Sequence, residues 1–177
     1  MSLNLSFQPI EESDLPILSR IASETFCDTF RHYREEDISH YLAESLSPRA
    51  LGVELADSAN RFYFVLVDGE KAGYLKWICP TDKYLEHVKV DWRAPVLLER
   101  FYFLPAFCGQ GLGPVALAFV ECYARYQAKA DVLYLSVWDR NYRAQSFYQK
   151  HGFRTLGSFD YPVGQEIDHE LLYYKRL

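Results

Sequence analysis

The chain has 177 residues, 49% hydrophobic and 24% charged, which suits one soluble domain (residues 1–177) with a full core. A net charge of -5 argues against nucleic acid as a partner, and no apolar stretch nears the roughly 20 residues that span a membrane. The start Met1-Ser2-Leu3-Asn4 has no secretion-signal character and the four cysteines form no CxxC pair, so a cytoplasmic protein with free thiols and no metal is expected.

Taken in chain order, Leu5–Ile10 alternates as a strand does, and Ser13-Asp14 with Pro16 opens a helix carrying Leu18, Ile21, Ala22, Phe26 and Phe30. A second helix covers Glu35–Ser45 and buries Ile38, Tyr41 and Leu42, and Ser47-Pro48 opens a third, through Leu55. Arg61–Val67 and Ala72–Ile78 make a hairpin about the turn Asp68-Gly69. A polar loop from Thr81 to Arg93 leads to a strand at Val96–Leu104. Gly109–Gly113 then enters a helix of about 14 residues that carries Leu117, Val120, Cys122 and Ala124 on apolar or mixed faces. Val132–Trp138 is a strand, and Asn141–Lys150 a helix closed by Gly152. Phe153–Phe159 and His169–Lys175 read as the final strands. Hairpins mixed with crossovers predict an α/β domain on a mixed sheet rather than a doubly wound fold.

Two segments carry the chemistry. In the first, Gly109, Gly111 and Gly113 lie between a strand and a helix, where backbone can approach a ligand and helix N–H groups face an anion such as a diphosphate. A purely structural turn accounts for the glycines equally well, and neither a Lys-Ser/Thr pair nor GxGxxG spacing is present. In the second, Asn141 is suited to cap a helix or to bond a ligand amide. Tyr148, seven residues on, shares its face, either as core or as a catalytic phenol.

Together, these segments resemble the GCN5-related N-acetyltransferase (GNAT) superfamily. Thr25-Phe26, Thr29-Phe30, Gly73-Tyr74-Leu75-Lys76, Leu98-Glu99-Arg100-Phe101-Tyr102, Val137-Trp138 and Asp168 are similar, more narrowly, to PaiA-type spermine/spermidine acetyltransferases. The resemblance implies the GNAT acyl-CoA N-acyltransferase fold, a mixed, largely antiparallel sheet with helices on both faces. It also implies acetyl-CoA as cosubstrate, a primary amine as acceptor, and a monomer or homodimer. The pantetheine arm would pair with Phe101, Tyr102 and Phe103, and the pyrophosphate would lie against Gly109, Gln110, Gly111, Leu112, Gly113 and Pro114. Asn141 would contact pantetheine and Tyr148 would protonate the leaving thiolate. Arg143 and Lys150 are candidates for the CoA phosphates.

Glu99 is the candidate base, although a Glu beside an Arg on a strand reads equally as half of a surface ion pair. Cys108, where the family usually has Arg or Gln, is expected to be a packed, inert thiol, and Pro114 removes one N–H from the turn. For the acceptor, the loop Arg31-His32-Tyr33 and the acids Glu35, Glu36, Asp37, Asp139, Asp160 and Asp168 are candidates, with Tyr161 and Tyr173 as a further wall. Glu35–Asp37 is explained as well by acids stabilising a helix N-terminus.

Overall fold

The computed structural model describes residues 4–163 and 166–177, which divide into two compact units: the segment up to Trp77 with Arg100–Ala116, and Ile78–Glu99 with Leu117–Leu177. In the first unit, β1 (Leu5–Pro9) runs antiparallel to β2 (Asn60–Val67), Leu5 opposite Val67 and Pro9 opposite Tyr63. A single 3-10 turn, Glu12–Asp14, precedes α1 (Leu15–Thr29), whose N-cap position is Asp14, as Ser13-Asp14 suggests, with Pro16 in the first turn. Next come α2 (Glu35–Ser45) and α3 (Pro48–Ala56), the latter capped by Ser47, whose hydroxyl accepts from the Ala50 N–H at 3.3 Å. Leu18, Ile21, Phe26, Leu51, Phe62, Phe64 and Tyr74 form the core, with Ile38, Tyr41 and Leu42 half-buried against it.

The hairpin between β2 and β3 (Glu70–Ile78) turns at Asp68 (φ 49°) and Gly69 (φ 87°), the left-handed pair that a two-residue turn demands. Strand order in this unit is β1-β2-β3-β4, where β4 is Val96–Phe103. At Gly73 a Cβ would lie 2.2 Å from the Tyr102 carbonyl oxygen and 2.8 Å from the Phe103 Cα, so only glycine lets β3 approach β4 this closely. Arg100 grips Glu54 of α3 through two hydrogen bonds of 2.7 and 2.9 Å, and Lys76 of β3 reaches the same carboxylate at 3.1 Å. With both cations buried, this cluster ties α3 to two strands.

Strand β4 passes from the second unit, as Val96–Glu99, into the first, as Arg100–Phe103. The second unit orders its strands β4-β5-β7-β6, with β5 at Val132–Trp138. All seven of the β5 residues pair antiparallel with β7 (Glu166–Arg176), from Val132 opposite Arg176 to Trp138 opposite Glu170. Pairing of β5 with β4 is parallel and consists of Val96 opposite Leu133 and Leu97 opposite Tyr134, where it ends. The hairpin of β6 (Arg154–Val163) and β7 outruns the expected Phe153–Phe159 and His169–Lys175, because pairs such as Asp160–His169 and Tyr161–Asp168 extend it through polar sequence. Helix α4 (Leu112–Cys122) starts ahead of Gly113 and widens into a π turn at Tyr123–Gln127. Leu117, Val120 and Ala124 are buried, whereas Cys122, expected on an apolar or mixed face, is exposed. Helix α5 (Tyr142–Lys150) follows β5 and ends before Gly152 (φ 88°). The result is the expected mixed, mostly antiparallel α/β fold with seven strands.

Gly73→Ala is expected to destabilise the protein by about 3 kcal/mol or more, because the clash is with backbone and no side chain can yield. Urea unfolding of the variant beside the wild type measures it.

Candidate functional site

In the first unit the end of β4 runs into the glycine turn. Tyr102 stacks on Tyr74 with ring centroids 5.9 Å apart, the Phe101 and Phe103 rings meet edge to face at 5.5 Å, and the Leu104 N–H donates to the Ala72 carbonyl at 2.8 Å. Phe103 and Phe107 pack on buried Val67, Ala72 and Leu112, which fixes the start of α4 beside the strand end. Gly109 (φ 79°) and Gly111 (φ 77°) adopt left-handed conformations, and a Cβ on either would meet nothing within 4 Å. Conformation rather than crowding therefore requires glycine, and the space above the turn stays open to a ligand. Gly113 lies inside the first turn of α4. The Gln110 side chain folds back to donate to the Ala106 carbonyl at 2.9 Å. Pro114 is exposed in the first helical turn, so one of the N–H groups that a helix start normally offers is absent. Cys108 is exposed, with Sγ 3.6 Å from the Leu104 carbonyl, correcting the expectation of a packed thiol.

The first unit also holds the expected acceptor residues of the α1–α2 region. Tyr33 is half-buried and stacks on Phe30 at 5.3 Å, and Glu35 is exposed at the start of α2. Asp37 is committed to Arg34 at 2.9 Å, and Arg31 pairs with Asp28.

In the second unit, Asn141 Oδ1 accepts from the Ala144 N–H at 3.1 Å and so caps α5. Tyr148 is buried, packed edge to face against Phe147 (5.3 Å) and Phe153 (5.4 Å), and burial pushes its phenol well above the ordinary range. Arg143 and Lys150 are exposed on the same helix. Glu99, two residues beyond the last β4–β5 pair, forms an ion pair with Lys83, while its neighbour Arg100 is engaged with Glu54. Tyr173 is core, its hydroxyl accepting from Gln149 at 3.0 Å, and Asp160 pairs with His169 on the surface.

Sequence reasoning missed two groups. Lys83 and Tyr84 sit in a loop without periodicity, so only the fold brings them to Glu99, Tyr134 and Phe159. Glu170 is half-buried, and its carboxyl is pushed up to about 7 by burial and by nearby Asp168 and Asp139, against a hydrogen bond with Ser136. The period-2 alternation of β7 was the available signal, since it puts Glu170 on one face with Asp168 and Leu172.

The family model described as the acetyltransferase (GNAT) family matches residues 17–153. The chain belongs to the GNAT family. Members of that family are N-acetyltransferases that use acetyl-CoA and need no metal. Among the described residues, no cluster of His, Cys, Asp or Glu is suited to hold a metal. An uncharacterised N-acetyltransferase of Lactobacillus delbrueckii subsp. lactis, from the pepI 3′ region, is 34% identical over 169 residues, 95% of each chain. The PaiA N-acetyltransferase of Thermoplasma acidophilum, solved with coenzyme A, is similar in structure (TM-score 0.77, 21% identity, 98% of this chain and 99% of that one). So is a Vibrio cholerae spermidine N-acetyltransferase chimera (TM-score 0.70, 18% identity, 97% and 95% covered). For this GNAT chain the open, left-handed glycines at the head of α4 fit a diphosphate, since the turn keeps its approach clear.

Because the folded protein holds the Glu170 proton more tightly than the unfolded chain, stability falls as pH rises from about 4.5 to about 7. Glu170→Gln is expected to be more stable than wild type by about 2 kcal/mol at pH 8 and no more stable at pH 4. Thermal melts at the two pH values check the sign.

Proposed function

We propose that residues 1–177 act as a single N-acetyltransferase domain that transfers acetyl from acetyl-CoA directly to a primary amine, a small cationic amine of the polyamine class. The observation that carries this reading is the early end of the β4–β5 ladder at Leu97 and Tyr134, while β5 continues to Trp138. An extended, amide-bearing arm such as pantetheine can take up strand edges released in this way. The neighbouring glycine turn suits the diphosphate that follows such an arm. Similarity to proteins named PaiA N-acetyltransferase and spermidine N-acetyltransferase supports the acceptor class, as does the acidic balance of the chain.

Acetyl-CoA supplies an activated acetyl group. The chain supplies the rest: backbone of Phe101, Tyr102 and Phe103 orients the cosubstrate, with the Phe103 N–H as donor to the thioester oxygen. Gly109, Gln110, Gly111, Leu112, Gly113 and Pro114 hold the diphosphate, assisted by Arg143 and Lys150, and Asn141 bonds the pantetheine. Tyr33 and Glu35 border the acceptor. Glu99 accepts the ammonium proton, directly or through water, so that the amine gains its lone pair. Tyr148 donates to the departing sulfur, and its buried phenol keeps its proton at every pH at which the enzyme works.

A second reading gives proton acceptance to Glu170, favoured by its pKa of about 7, close to what a base at neutral pH requires. The two separate cleanly. If Glu170 is the base, Glu170→Gln and not Glu99→Gln abolishes a rate limb near pH 7.

Release of thiol from acetyl-CoA across a panel of polyamines, amino acids and peptides tests the function itself, and turnover confined to peptides would refute the acceptor class. Tyr148→Phe should lower kcat about 100-fold, with full turnover ruling out the acid role. The wild-type kcat profile should show no loss from this phenol below about pH 10. Pro114→Ala restores an N–H at the helix start and should tighten CoA about threefold by titration calorimetry.

A further inference from the structure

The loop between β3 and β4 brings an ammonium group of the chain itself to Glu99. Three contacts hold this loop within the second unit. The Tyr134 hydroxyl lies 2.8 Å from the Lys83 carbonyl and 3.2 Å from that of Thr81. Tyr84, in the left-handed region at φ 67°, stacks on Phe159 at 4.9 Å. Val88 fits against Gly157, where a Cβ would come within 2.9 Å of its methyl. Backbone strain at a tyrosine persists only where the surroundings over-determine it, so Lys83 is delivered by a clamped loop.

The Glu99 side chain is only 12% exposed, whereas that of Lys83 is 44% exposed. The Lys83 ammonium reaches Glu99 while lying 4.9 Å over the Tyr84 ring. One partner is therefore fixed in the strand and the other is a flexible stem with an open path to water. We propose that Lys83 is a specificity-determining residue: it occupies Glu99 as a built-in ammonium, and a cationic acceptor must displace it before Glu99 can take the acceptor's proton. The inference rests on the assignment of Glu99 to the acceptor. Lys83 keeps its proton when displaced and swings into solvent. The acceptor ammonium then gives one proton to Glu99 and attacks as the neutral amine.

Displacement lowers the apparent affinity for the acceptor by the fraction of enzyme in which Glu99 is occupied. Partly exposed pairs of this kind are of modest strength, which sets the expected effect at about fivefold. Lys83→Met retains the stem over Tyr84 without the charge, and Lys83→Gln repeats the measurement with a polar neutral side chain. With spermidine and acetyl-CoA, both variants should show a KM for the amine about fivefold below wild type. KM for acetyl-CoA and kcat should stay unchanged, and Lys83→Arg should keep the wild-type KM for the amine. An amine KM that is unchanged or raised in Lys83→Met and Lys83→Gln, in protein with a wild-type melting temperature, overturns the proposal. Glu99→Gln separates the two layers. If it keeps wild-type turnover, the assignment of Glu99 fails and the inference with it. If it loses turnover while the Lys83 variants leave the amine KM unchanged, only the inference fails.

Discussion

Hydrogen bonding along β5 is the constraint from which the candidate site follows. On one edge, β5 is paired with β7 over its whole length, so the strand is rigid and its direction is set. On the other, the parallel ladder with β4 stops after two pairs. Leu135 and Val137, just beyond that point, are buried and are paired on the β7 side with Tyr173 and Leu171. In the proposed function, the pantetheine arm, which carries its own amides, would take up the strand edge where the β4–β5 ladder stops. The glycine turn gains its meaning from the same arrangement. Phe103 and Phe107, packed on Leu112, fix the head of α4 next to the end of β4, so a ligand following the strand arrives at helix N–H groups.

Charges along β4 show how strictly the strand separates neighbouring roles. Glu99 and Arg100 are adjacent, yet each has an ionic partner of its own, Lys83 and Glu54. Arg100, almost wholly buried, is locked to Glu54 by two hydrogen bonds, and this pair is structural. Glu99 faces a lysine on a loop, a weaker and more exchangeable partner. A structural ion pair thus holds the strand beside a carboxylate paired to a partly exposed lysine, an arrangement that fits the exchange of partners proposed for Glu99.

Legibility in the sequence tracked the range of the interactions. The hairpin at Asp68-Gly69, the bounds of α2 and β5 and the Asn141 cap are local events, encoded in turn chemistry, periodicity or capping, and the residues stated them. The β6–β7 hairpin was read short because polar residues such as Asp160 and Asp168 break the hydrophobic alternation, while cross-strand pairing carries the ladder past them. The exposure of Cys108 was misjudged because a cysteine between Phe107 and a glycine turn gives no clue to which way it faces. At the candidate site, the glycines and the Asn141–Tyr148 spacing were visible because each lies within one turn-and-helix segment. The Lys83–Glu99 pair was invisible, being 16 residues apart across a loop whose course depends on Tyr134.

Aromatic residues, 16% of the chain, have a physical role in the second unit. Burial raises the phenols of Tyr84, Tyr134 and Tyr148 together, that of Tyr84 to about 12, so each keeps its proton through the neutral range. Tyr134 spends its proton on the loop that carries Lys83, and Tyr84 spends its ring on Phe159 and on the lysine itself. Tyr148 is framed by two further rings, Phe147 and Phe153, which pack edge to face against it. A phenol with so high a pKa cannot surrender its proton to a thiolate early in a reaction. It can stabilise the sulfur by hydrogen bonding as charge develops, with full transfer following only as the carbon–sulfur bond breaks. In the role proposed for Tyr148, burial, which makes it a poor acid in the resting protein, would also keep its proton available at the moment the sulfur leaves.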